Sequence, residues 1–541
     1  MIREPGLPRR RRRPEAQSGA SADSGVVEPT RDDSLLRYVS RGIGGPAGTH
    51  LRGTSTSCGN SAGTKDTGDN DPGTKGSARF WTLPRVLTAM TVVAILFSIL
   101  SMQYCRINGW GAPGVYLGGC YSDITALYSS RGFDQDPWAP FSGAAEFEYP
   151  VLTGLIAAIM AQLTHWADGA ADLGLIPSSL VYWEGRPQLL FWDITFLATA
   201  ALWVALVLIV MRSAGRRPWD AAIVALSPAL IFGAGINWDL WAVVALALAM
   251  FFVARRRPIL AGVMIGVGIS FKLYPLFLLG ALLVLALRRR HGKAMREFLT
   301  TTASTAGTWL LINVPVMVLD WDAWSLFFTF SADRGAGYSS FWHIWNLVAE
   351  ARGDQGLSAE SISLLSFLLF AAACLGVLIL GLKAPATPRP AQLMLLITAA
   401  FLLVGKVYSP QFMVWLIPLI ALAIPRWRDV LIWQAFQILH FWAVWMYLAG
   451  VVGDQSPQHS FDDALYVLAV LGHMGSTIYI MTRVVLDICR PERDATDSPQ
   501  PIPAAAAQPP APEPGRDPSG GPARTGRPSP PPDQEKSRGS P

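Results

Sequence analysis

The chain has 541 residues, of which 51% are hydrophobic and only 15% are charged. Soluble domains carry about a quarter charged residues, so this composition excludes an ordinary soluble enzyme, a secreted disulfide scaffold and a nucleic-acid-binding protein. The net charge of +5 (44 basic minus 39 acidic residues) is modest, and the positions of the basic residues are more informative than their number.

Polar tails flank the apolar part of the chain. Residues 1–79 are rich in Gly, Ser, Arg and Asp, and residues 490–541 are rich in Pro, so we predict that both tails are disordered. Arg9–Arg13 has no apolar stretch directly behind it and is therefore not part of a signal peptide. We interpret this run as a basic cytoplasmic anchor, with nucleic-acid binding as the alternative.

The core, residues 80–489, is long enough for about a dozen membrane spans of roughly 20 residues each. We predict apolar segments at Val86–Tyr104, Val151–Trp166, Gln188–Met211, Trp219–Gly233, Leu240–Ala254, Ile259–Phe271, Tyr274–Leu287, Phe298–Leu319, Ser361–Leu382, Ala391–Val404, Gln411–Ile424, Val430–Val451 and Ala464–Ile488.

Clusters of Lys and Arg, such as Arg255–Arg257 and Arg288–Arg290, mark the predicted cytoplasmic loops. These clusters alternate with acidic and aromatic loops along the chain. If Val86–Tyr104 leads outward and Gln188–Met211 leads inward, Val151–Trp166 between them cannot cross the membrane in full. We therefore predict one large external loop, residues 105–187, which holds a re-entrant or interfacial helix. The predicted fold is an all-α multi-pass cell-membrane protein with about twelve crossings and both termini in the cytoplasm. The alternative is that one short segment is misassigned and the parity is repaired elsewhere.

The external loop combines aromatic residues with acids, which is a combination that suits sugars because rings pack on C–H faces and carboxylates accept hydroxyl protons. Asp123 is the candidate general base, since a partly desolvated carboxylate near the membrane has a raised pKa. Its alternative role is a helix N-cap. Glu148 and Tyr149 are candidates for binding sugar hydroxyls, against the alternative of an interfacial aromatic belt.

Two cysteines, Cys105 and Cys120, lie in the same predicted external loop. A disulfide between them would close a loop of about fifteen residues and stabilise it by about 3 kcal/mol. We predict this pairing because the outer side of the membrane is oxidising. No Cys/His cluster has the spacing of a zinc site, so we predict no metal.

Cations interrupt apolar runs where the positive-inside rule disfavours them, at Lys272 and Lys406. An anionic head group is one possible partner, and the alternative is snorkelling to lipid phosphate or pairing with a loop acid. Arg334, with His343 nearby, could join them from another external loop. Asn237 and Asp239 begin a helix and are either caps or part of a polar floor.

An external cavity with a carboxylate on one side and cations on the other suits transfer of a glycosyl group from a phosphate-linked lipid. The acid would deprotonate the acceptor hydroxyl, and the cations would stabilise the departing lipid phosphate. Such a leaving group needs no general acid, in contrast to the glycosidases with their two carboxylates. We predict no cofactor beyond the lipid-phospho-sugar co-substrate.

Five motifs resemble those of the actinobacterial integral-membrane glycosyltransferases of family 87, which are of the GT-C class. They begin at Cys120 (CYSDI), Glu148 (EYPVLTG), Asn237 (NWD), Phe271 (FKLYP) and Lys406 (KVYSPQ). The resemblance implies an inverting enzyme that uses a polyprenyl-phospho-sugar on the extracytoplasmic face, as do the mannosyltransferases of that family. It also implies that Asp123 is the base and that the later loops hold the phosphate-binding cations.

The sequence therefore predicts a GT-C-like hexosyltransferase that transfers mannose to a glycolipid or cell-wall glycan, with membrane lipids but no nucleic acid as further partners. The alternatives are a transporter or flippase for a lipid-linked sugar, with ionisable residues inside central helices, and a structural membrane anchor. The candidate site residues are Asp123 as catalytic base; Lys272, Lys406 and Arg334 on the donor phosphate; and Glu148, Tyr149, Asn237, Asp239, His343, Tyr408 and Gln411 on the substrates.

Overall fold

The computed structural model describes residues 33, 35, 36, 38, 82–143, 146–289, 292–453, 461–494 and 496. The tails predicted to be disordered, residues 1–79 and 490–541, lie outside the described residues apart from the few just given. One of these, Asp33, is buried, and its carboxylate accepts a hydrogen bond from the backbone N–H of Trp427 at 2.8 Å.

Helices are the regular elements of the described part of the chain. The first half contains α1 (Leu83–Ser101), α2 (Gln103–Asn108), α3 (Gly114–Leu117), α4 (Asp123–Ser130), α5 (Ala139–Ser142), α6 (Val151–Asp172), α7 (Pro187–Ser213), α8 (Ala222–Ala225), α9 (Pro228–Gly233), α10 (Asp239–Ala254) and α11 (Pro258–Phe271). The second half contains α12 (Phe277–Arg289), α13 (Gly292–Leu319), α14 (Trp321–Asp333), α15 (Phe341–Ala351), α16 (Ala359–Lys383), α17 (Pro390–Val404), α18 (Met413–Ala423), α19 (Trp427–Val452) and α20 (Asp463–Cys489).

Within the described residues, six helices are long and apolar enough to cross a bilayer: α1, α7, α13, α16, α19 and α20. Shorter apolar helices, among them α10, α11 and α17, pack between them. A multi-pass membrane protein with an all-helical fold follows from these lengths and compositions. The total of twelve crossings stays a prediction.

The predicted segment Trp219–Gly233 is not a single helix. It divides into a 3-10 turn and two short helices, α8 and α9. The break falls before Pro228, because proline disfavours helical backbone in the preceding residue and has no N–H for an intrahelical bond. Ser227 is extended there and caps α9 by accepting a hydrogen bond from the N–H of Leu230.

The predicted external loop is helical through much of its length. It contains α2 to α5 and then α6, which is a continuous helix of 22 residues that packs against α7, α11 and α13. A second hydrophobic core lies beneath these elements and includes Ile124, Phe133, Phe191 and Trp238. The loop is therefore packed onto the bundle, and whether α6 crosses the membrane stays a prediction.

The two predicted sets of loops contact residues of their own set. At the basic end, the guanidinium of Arg288 donates to the carbonyl of Gly381 at 2.8 Å, which joins the ends of α12 and α16. At the other end, the amide of Asn237 contacts Asp123 across 114 positions of sequence. These two contacts each join loops of the same predicted set, and which set faces the cytoplasm stays a prediction.

Candidate active site

The backbone around Asp123 is pinned to the segment that precedes α10. The N–H of Asp123 donates to the carbonyl of Ile236 at 2.8 Å, and the hydroxyl of Ser122 donates to the carbonyl of Gly235 at 2.8 Å. Asp123 begins α4, where a carboxylate favours the N-terminal end of the helix dipole. These bonds place its side chain beside Asn237.

The Asp123 carboxylate receives two side-chain hydrogen bonds. Nδ2 of Asn237 donates to Oδ2 of Asp123 at 2.7 Å and also to the hydroxyl of Tyr149 at 2.9 Å. The second bond to Asp123 comes from the hydroxyl of Tyr121. Since Oδ1 of Asn237 accepts from the backbone N–H of Trp238 at 2.6 Å, the amide is oriented with its nitrogen toward the carboxylate.

Burial raises the pKa of Asp123 above its ordinary value. The hydrogen bonds from Asn237 and Tyr121 and the positive charge of Lys272 oppose that rise, whereas the nearby carboxylate of Asp239 adds to it. The side chain nonetheless keeps partial exposure. A carboxylate that is open to a ligand and more basic than usual is suited to accept a proton from a hydroxyl.

Lys272 and Asp239 form an ion pair beside Asp123. Nζ of Lys272 lies 3.2 Å from Oδ1 of Asp239, which also accepts from the indole N–H of Trp415 at 2.9 Å. Asp239 is 2% exposed, and its Oδ2 has no hydrogen-bond partner among the described residues. The ammonium also lies 4.9 Å from the centre of the Tyr149 ring, so Lys272 connects the buried acid to the site.

The other predicted cations lie on the far side of the site. Lys406 donates to the carbonyl of Ala332 at 2.9 Å and to the hydroxyl of Ser363 at 2.8 Å, and burial lowers its pKa. Arg334 follows α14 and is exposed; its backbone N–H donates to the carbonyl of Phe330, and its side chain makes no hydrogen bond to another described residue. Its charge acts on both Tyr121 and Lys406, so Arg334 lies within electrostatic range of both residues.

Four of the remaining candidate residues lie at a distance from Asp123 or have partners of their own. The carboxylate of Glu148 forms a two-point ion pair with Arg131 at 2.8 Å. Tyr408 is 1% exposed and bonds Thr477, while Gln411 is buried. The ring of His343 packs against Tyr338, Tyr447 and Tyr466 in an aromatic cluster.

Several residues near Asp123 were not singled out by the sequence. Tyr121 and Tyr116 stack at 5.5 Å and both contact the ring of Trp445, which comes from α19. Trp415 bonds Asp239 from α18. The tyrosines lie within a few positions of Asp123, so their proximity was readable from the sequence, whereas the tryptophans come from distant helices and left no such signal.

An apolar cavity of about 500 Å³ opens beside the site. Tyr149 and Leu273, the neighbour of Lys272, lie at the side of the cavity next to the acids. The other walls come from α6, α11, α13 and α14 and include Gly154, Ile269, Thr305, Trp309, Trp324 and Phe327. This volume lies within the range of small-molecule sites, and its walls are almost entirely hydrocarbon.

Cys105 and Cys120 are joined by a disulfide, with an S–S distance of 2.03 Å and a Cα–Cα distance of 6.0 Å. Because Cys120 lies three residues before Asp123, the bond ties the segment that carries the candidate base to α2. Over the residues that the structure describes, no group of three or more His, Cys, Asp or Glu side chains is placed to hold a metal ion.

The model of glycosyltransferase family 87 matches residues 147–405 of the chain. The matched range includes Tyr149, Asn237, Asp239, Lys272 and Arg334, and it ends one residue before Lys406. Asp123 lies outside it, although hydrogen bonds connect it directly to Asn237. No curated protein matches the chain.

Proposed function

Because the chain belongs to glycosyltransferase family 87, we propose that it transfers a hexose, mannose in the first instance, from a polyprenyl-phosphate-linked donor to a glycolipid or cell-wall glycan. The observation that carries this proposal is the partly exposed carboxylate of Asp123, held by Asn237 beside both a partly buried cation, Lys272, and an apolar cavity. The reaction would take place on the extracytoplasmic face of the cell membrane.

Asp123 would act as the general base. The acceptor hydroxyl oxygen would attack C1 of the sugar, its proton would pass to Asp123, and the bond between C1 and the phosphate oxygen would break. A single displacement of this kind inverts the configuration at C1. The lipid phosphate would leave with the electron pair of the broken bond, and no general acid would be required.

The donor phosphate would lie between Tyr149 and Arg334. The side chain of Arg334 is exposed and has no hydrogen bond to another described residue, and its planar guanidinium can bind phosphate at two points. Lys406 would add charge from behind Arg334. Lys272 is already paired with Asp239, so its main effect would be to set the electrostatic potential around Asp123 and the phosphate.

The hydrocarbon chain of the donor would occupy the apolar cavity. Tyr149 belongs both to the cavity wall and to the hydrogen-bonded group around Asp123, so a molecule with an apolar tail and a phosphate head could reach both. A water-soluble nucleotide sugar would leave this hydrocarbon surface uncovered. The cavity therefore favours a lipid-linked donor.

Replacement of Asp123 tests the base. We expect Asp123→Asn to reduce transfer from labelled polyprenyl-phospho-mannose by about 100-fold or more, since general-base catalysis contributes about 10²–10⁴-fold. The matched control is Glu146→Gln, which neutralises an exposed carboxylate in the same loop. Both proteins would be purified in detergent, where no compartments exist, so that product formation also distinguishes an enzyme from a transporter. Full activity of Asp123→Asn would remove Asp123 from this role.

Filling the cavity tests the donor tail. A Cβ at Gly154 would lie 3.4 Å from Phe141 and 3.5 Å from Phe147, so Gly154→Ala fits, whereas Gly154→Leu would project into the cavity. If the Leu side chain displaces two methylene groups of the donor tail, binding of the donor weakens by about 0.8 kcal/mol for each. This loss corresponds to about a tenfold rise in KM. We expect that rise for a long-chain donor and not for a short-chain donor. An equal effect on both donors would contradict the proposed place of the tail.

A further inference from the structure

A second cavity, of about 440 Å³, lies at the basic end of the bundle. Four arginines from three separate segments line it: Arg256, Arg257, Arg289 and Arg389. Among the described residues of its lining, Glu297 is the only acidic one. We call this cavity the arginine pocket, and its surplus of positive charge makes an anion the expected ligand.

Two of the four arginines hold the pocket together. Arg389 donates to the carbonyls of Leu422 and Ala423 and pairs with Asp494 at 2.9 Å, so its guanidinium links α17, α18 and the segment that follows α20. Arg289 also has an interaction partner. These contacts give the pocket a defined wall even without a ligand.

The other two arginines are available to a ligand. Arg256 and Arg257 are exposed and make no side-chain hydrogen bond or ion pair with another described residue. Arg256 has φ of 53°, a conformation that residues with a Cβ seldom adopt. The turn separates consecutive arginines, because Arg255 lies over the ring of Phe251 at 3.5 Å while Arg256 and Arg257 line the pocket.

Most of the remaining lining is apolar, with Ser213 and Thr301 as the polar members. The apolar residues include Met250, Leu282, Leu285, Phe298 and Leu422 from four helices. A free phosphate ion would contact the arginines and leave this hydrocarbon wall in water. A molecule that combines a phosphate with an acyl chain would cover both parts of the pocket.

We infer that the arginine pocket binds an anionic phospholipid of the adjacent leaflet, with the phosphate between Arg256 and Arg257 and an acyl chain along the apolar wall. Guanidinium groups bind phosphate oxygens through paired, charge-assisted hydrogen bonds. Basic pockets between helices at a membrane surface are suited to anionic lipid head groups. The strained turn at Arg256 keeps both free guanidinium groups at the pocket.

The arginine pocket is separate from the candidate active site. Helix α11 begins after Arg257 and ends before Lys272, and its 14 residues extend for about 20 Å. A lipid head group in the arginine pocket therefore cannot contact Asp123. Its binding can be measured without a donor sugar and does not depend on the proposed reaction.

Lipid titration of the full-length protein in detergent tests the inference. The probes are phosphatidylglycerol, phosphatidylcholine and inorganic phosphate, with bound lipid counted by native mass spectrometry. The test variant is Arg256→Gln with Arg257→Gln, and the control is Arg255→Gln with Arg296→Gln, which removes the same charge from exposed residues outside the pocket. We expect the test variant to bind phosphatidylglycerol about tenfold or more weakly, the effect of losing a charge-assisted hydrogen bond. The control should bind within about twofold of the unaltered protein.

Three results would overturn the inference. Equal losses in the test and control variants would indicate general attraction to a basic surface. Binding of phosphatidylcholine as tight as that of phosphatidylglycerol would show that the pocket does not recognise the net charge of the head group. Displacement of phosphatidylglycerol by millimolar inorganic phosphate would indicate a site for the free ion.

A second variant keeps the test valid if the double substitution does not fold. Arg256→Gly removes one guanidinium and suits the positive φ at this position, because glycine has no Cβ to clash there. We expect this variant to unfold at the same temperature as the unaltered protein or higher, and to bind phosphatidylglycerol several-fold more weakly. Unchanged lipid binding in this folded variant would remove Arg256 from the site.

Discussion

Removal of the Asn237 amide should change the pH at which the enzyme becomes active. In Asn237→Ala, Asp123 loses the hydrogen bond of 2.7 Å to its Oδ2, while the backbone contact between Asp123 and Ile236 remains. That bond lowers the pKa of Asp123 against the rise caused by burial. Its loss therefore raises the pKa further.

The size of the shift follows from the chemistry of the bond. A hydrogen bond to a charged group contributes about 1.5–3 kcal/mol, and one pKa unit corresponds to about 1.4 kcal/mol. The pKa of Asp123 should therefore rise, and activity at a given pH on the acidic limb should fall by about tenfold or more. Asp123 accepts a proton only when it is ionised, so activity that rises with pH through this pKa should begin to rise at a correspondingly higher pH.

The assay is the pH dependence of kcat/KM for transfer from a labelled lipid-phospho-sugar, since that ratio reports the free enzyme. Gln434→Ala is the matched control, because it removes a buried amide that bonds Ser227 and the N–H of Ala229 away from the site. We expect its acidic limb to coincide with that of the unaltered protein. If the acidic limb of the pH profile of Asn237→Ala coincides with that of the unaltered protein while the maximal rate falls, the electrostatic role of Asn237 is refuted and its role is structural.

Three further substitutions have distinct expected outcomes. Lys272→Met leaves the 2%-exposed Asp239 without its cation, which should lower the free energy of unfolding by about 3–5 kcal/mol. Adding Asp239→Asn should restore most of that stability. If the double variant is no more stable than Lys272→Met, the pairing is contradicted. Glu148→Gln weakens a partly exposed ion pair, so unfolding should change by about 1 kcal/mol or less, and a 100-fold loss of kcat/KM in a stable variant would instead indicate sugar contact. Cys105→Ser should lower the free energy of unfolding by about 3 kcal/mol, and reductant should no longer change the melting temperature of the variant. A variant that melts at the same temperature as the oxidised, unaltered protein would show that the disulfide does not stabilise the loop.

Prediction from the sequence succeeded where a local property determines the structure. Apolar runs became helices because in a bilayer each backbone polar group must be satisfied within its own segment. The apolar run Trp219–Gly233 is interrupted because Pro228 disfavours helical backbone in the residue before it, an effect that hydropathy does not reveal. The positions of Lys272 and Asp123 as polar residues in apolar surroundings were likewise visible from local composition.

Partners of the candidate site residues could not be predicted in the same way. For Lys272 the sequence left an anionic head group, lipid phosphate and an acidic residue open as partners, and the structure pairs it with Asp239 at the start of α10. Glu148 was expected on the sugar, yet Arg131 takes both of its oxygens. Each charge has several possible partners of opposite sign, and only the packing of helices selects among them.

An all-helical membrane protein with polar groups at the helix ends could be predicted from the amino-acid sequence, since hydropathy and charge act on each segment independently of the others. The folded arrangement was needed to show that Asn237 reaches Asp123 across 114 positions, that Tyr149 joins this group to an apolar cavity, and that four arginines line a second cavity. These contacts depend on how helices pack side by side. Packing is a property of whole surfaces in contact, and no local pattern of residues encodes it.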